Sequence, residues 1–293
     1  MNGKDIKVTS IILFFVITIV ALIVSAVDNN SVKIYGYSSV FLCSILIFGI
    51  QWIAWVPASI SKTERFFDIT GGITYLAVIF FSLWTGSLNG QITTRQIVIS
   101  ILVVIWALRL SSFLYLRIHR TGKDGRFDDL KTSPIRFLVP WTLQGLWIFL
   151  TLNVVIVVNS QSSSGIPLGI WDLIGMTLWL SGFAIEVIAD NQKSKFNIEG
   201  NKFWIDTGLW SYCRHPNYFG EILLWLGIAC FGISCLSGLE FVALISPIFV
   251  YLLLTKVSGI PILDTRALTK WGDNKEFINY RSNTPALIPK FKK

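Results

Sequence analysis

The chain has 293 residues, 53% of them hydrophobic and 14% charged, with a mean hydropathy of +0.62. A soluble domain carries about 25% charged residues, so the composition excludes an ordinary soluble enzyme and points to a membrane protein. The net charge of +8 would suggest nucleic acid for a soluble chain, but basic residues in a membrane protein flank spans and fill cytoplasmic loops, and no nucleic-acid partner is expected.

Lys4 and Lys7 precede "VTSIILFFVITIVALIVSAV". That apolar run is too long for a signal-peptide core, so it reads as a first transmembrane helix that is retained. About 20 apolar residues cross the hydrocarbon core. Spans are expected at roughly 8–27, 38–57, 70–88, 96–116, 138–159, 168–189, 219–236 and 239–257. The last two are separated only by "LSGLE", which permits a tight hairpin or a re-entrant pair. The fold expected is an all-α polytopic bundle of seven to eight spans. With eight, 22 of the 25 lysines and arginines fall on the side of the two termini, which places both termini in the cytoplasm. Tryptophans near span ends, such as Trp141, Trp171 and Trp210, fit interfacial belts.

Ionisable residues within spans are costly and mark function by default. Arg109, Glu186 and Glu221 stand out, all toward the cytoplasmic ends. Snorkelling of Arg109 and a structural Glu–Arg pair are the competing explanations. Glu186 and Asp190 are four apart and share a helix face, with Lys193 about one turn further. Asn217 and Glu221 are also four apart. Pro216 suits the first turn of a helix, which leaves Arg214 and His215 just ahead of its N-terminus and Tyr218 within its first turn. A helix N-terminus flanked by cations favours an anion, and the two carboxylate faces can accept from hydroxyl or amide donors. A nucleotide has both kinds of group. The segment "RLSSFLYLRIHRTGKDGRFDDL" adds Arg109, Arg117 and Arg126, the first two sharing a face eight residues apart. No G-x-G-x-x-G follows a strand and no P-loop occurs, so a dinucleotide would bind on neither of those folds.

Of the four cysteines, Cys43, Cys213, Cys230 and Cys235, none forms a C-x-x-C pair, and His119 and His215 are the only histidines. Neither a disulfide framework nor a metal site is expected.

"GLWSYCRHPNYFGEILLWLG" resembles the signature of steroid 5-alpha-reductase-like membrane proteins, in the branch called domain of unknown function 1295. The likeness continues in "FDITGGITY", "WALRLSSFLYLRIHRTGKDGRF", "WTLQGLW", "EVIADNQKSKF", "SPIFVYLLLTKVSGIPILD" and "YRSNTPALIP". It implies an N-terminal transmembrane hairpin at 1–66 and a membrane domain with a cofactor cavity at 67–293. It further implies NADPH in a cytoplasm-facing cavity, with hydride passing to the β-carbon of an enone in a sterol or other lipid. By the resemblance, Asn217, Glu221, Glu186 and Asp190 contact the cofactor, and Arg214 and His215 lie by its phosphates.

The chain also departs from the reductases. Their early Gln-Glu pair before a proline is replaced by "QWIAWVP", with Gln51 and no adjacent acid. Of their late Arg, His and Tyr, Arg266 alone has a counterpart. Tyr75 is then the expected proton donor, with Asp68 and Gln51 as further catalytic candidates. An S-adenosylmethionine-dependent methyltransferase of a membrane-embedded acceptor is the alternative, since such enzymes share an RHPxY element and a similar tail. A lipid-binding or transport protein without catalysis is a third reading. The membrane is expected to be the bacterial inner membrane or the endoplasmic reticulum.

Overall fold

The computed structural model describes residues 3–88, 90–161, 166–200 and 203–290, with the side chains of 120 and 121 left out. Among the described residues, eight stretches are helical, long and apolar enough to cross a membrane. The first five are α1 (Gly3–Val27), α2 (Ser39–Ile60), α3 (Phe67–Ser87), α4 (Thr94–Thr121) and α5 (Pro134–Ser160). These are followed by α6 (Ile170–Ile198), α7 (Pro216–Ile233) and an interrupted last stretch, Gly238–Trp271, which contains α8 (Ile245–Leu252) and α9 (Ile260–Trp271). A shorter helix, α10 (Lys275–Asn283), lies near the C-terminal end.

Local chemistry sets the helix boundaries. The side chain of Ser38 accepts from Phe41 N at the start of α2. Thr93 and Gln96 form a reciprocal capping box on α4, which satisfies two otherwise orphaned donors. Gly122 ends α4 at φ 81°, a left-handed cap that glycine adopts without steric cost. Pro134 and Pro216 open α5 and α7, where a missing N–H is harmless. Two boundaries differ from the sequence expectation. The helical stretch of the last span turns at 257 and then resumes: a π-helical turn at Leu253–Val257 lets Ser258 and Gly259 donate to Leu253 O, and α9 follows. Helix α6 runs on to Ile198 because its polar extension remains helical after the apolar stretch ends. A two-residue ribbon, Lys33–Ile34 with Tyr37–Ser38, turns through Tyr35 and Gly36 at positive φ.

The described residues fall into two compact units. The first comprises Met1–Gly169 with Phe231–Ile245, the second Ile170–Cys230 with Ser246–Lys293.

In the first unit α5 is the central post: every residue from Ile148 to Ser160 is buried, with α1, α2, α3 and α4 packed around it. Lipid offers no hydrogen-bond partners, so polar groups at such depth must pair with one another. Asn159 Nδ2 donates to Ser82 Oγ and Ser100 Oγ, both at 3.0 Å. Gln96 Nε2 donates to the carbonyls of Val158 and Asn159, and Ser39 bonds both Thr85 and Ser160. These contacts tie α2, α3, α4 and α5 together at one end of the bundle. Near the other end Ala58, Phe127, Phe137 and Trp141 form an apolar cluster, flanked by Phe66 and Phe67.

In the second unit α6 and α7 cross through glycines spaced seven apart on each helix. A Cβ at Gly182 would stand 2.6 Å from Gly220 O, and one at Gly227 would stand 2.6 Å from Gly175 O. Such spacing lets two backbones approach directly, which drives helix association where no hydrophobic effect is available.

Candidate functional site

The close α6–α7 crossing determines which side chains meet in the second unit. Gly220 lies against the backbone N of Glu186, which a Cβ at Gly220 would approach to 2.7 Å. One turn on, Asn217 Nδ2 donates to Asp190 Oδ1 at 3.2 Å. Glu186 and Asp190 are both buried, and Glu221 follows Gly220 on α7, half-buried. One member of each four-residue spacing, Asp190 and Asn217, therefore meets the other across this helix pair.

Cations and rings gather at the start of α7. Pro216 begins the helix, and His215 O accepts from Phe219 N in its first turn. The His215 and Tyr218 rings stack at 5.4 Å. Lys193 Nζ stands 4.9 Å from the centre of the Trp210 ring, a cation–π placement, while Trp210 Nε1 donates to Ala189 O. Gln192 Oε1 accepts from Leu209 N. The chain from Leu209 to His215 is thus held on α6 from one side.

The C-terminal segment holds it from another. Arg214 N donates to Pro285 O, Lys290 N to Tyr212 O, and Tyr280 Oη to Trp210 O at 2.8 Å. Burial raises the Tyr280 phenol well above the usual tyrosine range, so it acts here as a neutral donor. Asp264 on α9 is the residue that sequence reasoning missed. Its carboxylate accepts from Arg214 Nη1 at 2.6 Å and from Arg281 Nη2 at 3.3 Å. His215 Nε2 stands 3.9 Å from the same carboxylate, beyond hydrogen-bond length. In sequence Asp264, at the end of "GIPILD", and Arg281, in "YRSNTPALIP", lie beyond the last expected span, where a charge carries no signal of its own.

The titrations follow from this packing. Burial lowers the His215 pKa, and Asp264, which alone raises it, does not offset the burial together with the cations Lys193 and Arg214. The imidazole is therefore neutral at pH 7. Burial pushes the Cys213 thiol up to about 11, so it is not a thiolate nucleophile. Four buried polar atoms in this region make no hydrogen bond among the described residues: Arg214 Nε, His215 Nε2, Asn217 Oδ1 and Arg281 Nε. Orphaned groups of this kind are expensive, and two of the four are obligate donors.

The first unit holds the remaining candidates. Asp68 and Tyr75 line one small, open crevice of about 30 Å³. The Tyr75 hydroxyl bonds Thr151 Oγ1 at 2.6 Å, and Thr151 Oγ1 itself donates to Trp147 O. The phenol therefore donates to Thr151. Gln51 is fully buried and donates to Thr74 Oγ1 at 3.0 Å; it is not among the crevice walls. Arg109 is half-buried on α4 and Arg117 is exposed. Arg126 is exposed, and its Nε donates to both carboxylate oxygens of Asp124, at 3.0 and 2.9 Å. Burial would raise the Asp124 pKa, but the Arg126 hydrogen bonds outweigh it and hold the carboxyl below the usual range. Arg117 and Arg126 are the cations acting electrostatically on Asp68.

Comparison with known proteins adds the family. Residues 54–284 match the family described as "Protein of unknown function (DUF1295)". An uncharacterized protein of Schizosaccharomyces pombe (strain 972 / ATCC 24843) is 22% identical over 236 residues, covering 70% of this chain and 65% of its own length. The chain thus spans less than two thirds of that relative. No solved structure matches. The family match takes in the α6–α7 crossing, the crevice and the Asp264 carboxylate alike, and the chain belongs to the DUF1295 family.

Proposed function

We propose that the protein is a membrane-embedded, NADPH-dependent reductase of a carbon–carbon double bond conjugated to a carbonyl in a sterol-like or other lipid. The carrying observation is the set of orphaned polar atoms at the start of α7, beside the Asp190–Asn217 pair. Arg214, Arg281 and His215 offer donors suited to phosphate oxygens at a helix N-terminus. Asp190, Glu186 and Glu221 offer acceptors for ribose hydroxyls or a carboxamide. The residues thus fit both halves of a nicotinamide nucleotide, which when bound would supply the hydride. The resemblance to steroid 5-alpha-reductase-like proteins supports the same reading, as does the positive-inside count, by which this chemistry is expected on the cytoplasmic side.

In the first unit Tyr75 and Asp68 are assigned to the lipid. The Tyr75 phenol would turn from Thr151 to a substrate carbonyl and stabilise the developing enolate in a dry site. Trp106 and Trp147 meet its ring edge-on, at 5.3 and 5.9 Å, and so fix its plane.

The methyltransferase alternative draws on one observation. Asp264 already occupies Arg214, and S-adenosylmethionine has no phosphate that would need that cation. Incubating the purified protein with deuterium-labelled NADPH and a lipid extract from its host separates the two. The reductase reading predicts a lipid that gains deuterium on carbon. Stabilisation by S-adenosylhomocysteine, together with no deuterium transfer, would replace it with the methyltransferase.

A further inference from the structure

The crevice of the first unit contains a feature that hydride chemistry does not require. Gln144 on α5 is only 6% exposed and lines the crevice, yet its carboxamide makes no hydrogen bond among the described residues. Whichever way the amide is turned, one acceptor and two donors are available at this wall. Three residues along α5, Trp147 lines the same crevice, and its indole N–H is buried with no hydrogen-bond partner. Residues three apart on a helix are neighbours. One short stretch of α5 therefore carries an unmet acceptor and an unmet donor.

The surroundings make this a built site rather than a packing fault. Gly71 and Gly72 sit side by side in α3, where each glycine costs about 1 kcal/mol relative to alanine. Their missing side chains let Gln144 and Ser111 close directly onto the α3 backbone. A Cβ at Gly71 would come within 2.9 Å of the Gln144 amide nitrogen, and one at Gly72 within 2.5 Å of Ser111 Oγ. Tyr75, Trp106 and Trp147 meet edge to face as a rigid aromatic wall.

We infer that the crevice binds the hydroxyl end of an apolar alcohol, such as a polycyclic or long-chain lipid alcohol. The hydroxyl donates to the Gln144 amide oxygen and accepts from Trp147 Nε1. A hydroxyl is the smallest group that both donates and accepts, and so it meets both needs at once. A methyl ether of the same lipid can accept but not donate, which leaves the Gln144 oxygen orphaned. Sites built around a polar partner discriminate strongly against analogues that lack it. The inference takes from the reductase reading only that the crevice admits a lipid, and it requires no nucleotide.

The test is photolabelling of the full-length protein in lipid nanodiscs, with no nucleotide added. The probes are a diazirine-bearing sterol, a diazirine-bearing long-chain alcohol, and the methyl ether of each. At least one alcohol should label peptides of α3, α4 or α5 in about tenfold excess over its ether, the worth of one desolvated hydrogen bond. Gln144→Leu and Trp147→Phe should each bring that ratio close to one. Gln144→Leu should also melt no lower than the parent protein, since it removes an orphaned amide from the core. Should that variant fail to fold, Trp147→Phe, which keeps the ring and loses only the donor, decides the question alone. Equal labelling by alcohol and ether, or no labelling of these helices by either alcohol, would overturn the inference and leave the crevice as a water-filled gap. So would an alcohol preference unchanged in Trp147→Phe. Because nucleotide is absent throughout, failure of the reductase reading would not alter any of these results.

Discussion

Asp264 accepts hydrogen bonds from two arginines that arrive from different elements, Arg214 ahead of α7 and Arg281 on α10. An anionic ligand at the α7 N-terminus must share those cations with it. Asp264→Asn keeps the shape and removes the charge. It should lower the thermal stability of the ligand-free protein by about 2 kcal/mol, because two partly buried guanidinium groups lose their counter-ion. It should also tighten NADPH binding several-fold, measurable by titrating both forms at one salt concentration. His215 provides a pH signature. Its folded pKa lies below the ordinary value of about 6.5 because of burial and the nearby cations. Its contribution to stability is complete above that ordinary value and is lost as the pH falls from there toward the lower folded value, where the unfolded chain binds the extra proton. Melting curves from pH 8 to pH 5 should fall less steeply in His215→Gln than in the parent protein.

At the scale of elements, the α6–α7 crossing depends on the absence of side chains. A methyl group at Gly220 would meet the Gly182 carbonyl at 2.6 Å and the Glu186 nitrogen at 2.7 Å. Neither is a flexible side-chain tip, so the helices must separate. Gly220→Ala should cost about 1–3 kcal/mol, the usual penalty for overpacking, and should weaken the Asn217–Asp190 contact one turn away. Gly49→Ala is the control, since nothing lies within 4 Å of its added methyl, and its melting temperature should stay within a degree or two of the parent. Much of this pair was legible in the sequence. Helical spacing put Glu186 with Asp190 and Asn217 with Glu221, Pro216 marked where α7 begins, and the cost of charge in lipid drew attention to them. The clamp on Asp264 was not legible, because it joins residues 50 positions apart and no local period encodes that distance. Nor was the place of Gln144 in the crevice wall, which only the packing of α3, α4 and α5 shows.

Across the whole molecule, hydropathy proved a sound guide to the number of spans, because about 20 apolar residues leave a chain few options in a bilayer. It was a poor guide to grouping. Phe231–Ile245 belongs with the first unit and Ser246–Lys293 with the second, a division set by contacts rather than by composition. Counts of lysine and arginine predict that single cysteines introduced at Lys131 and at Lys275 are labelled by an impermeant maleimide from one side of the membrane, and one at Tyr35 from the other. Labelling of all three from the same side would contradict the eight-span orientation. The central claim is that the start of α7 and its α6 partner hold a nicotinamide nucleotide. The most direct test follows tryptophan-to-nicotinamide energy transfer while NADPH is titrated into the purified protein and into Asn217→Ala. The account predicts saturable transfer in the parent and roughly tenfold weaker binding in the variant, which loses one hydrogen bond to a charged group. No saturable transfer at millimolar NADPH, or equal affinity in the two proteins, would contradict it.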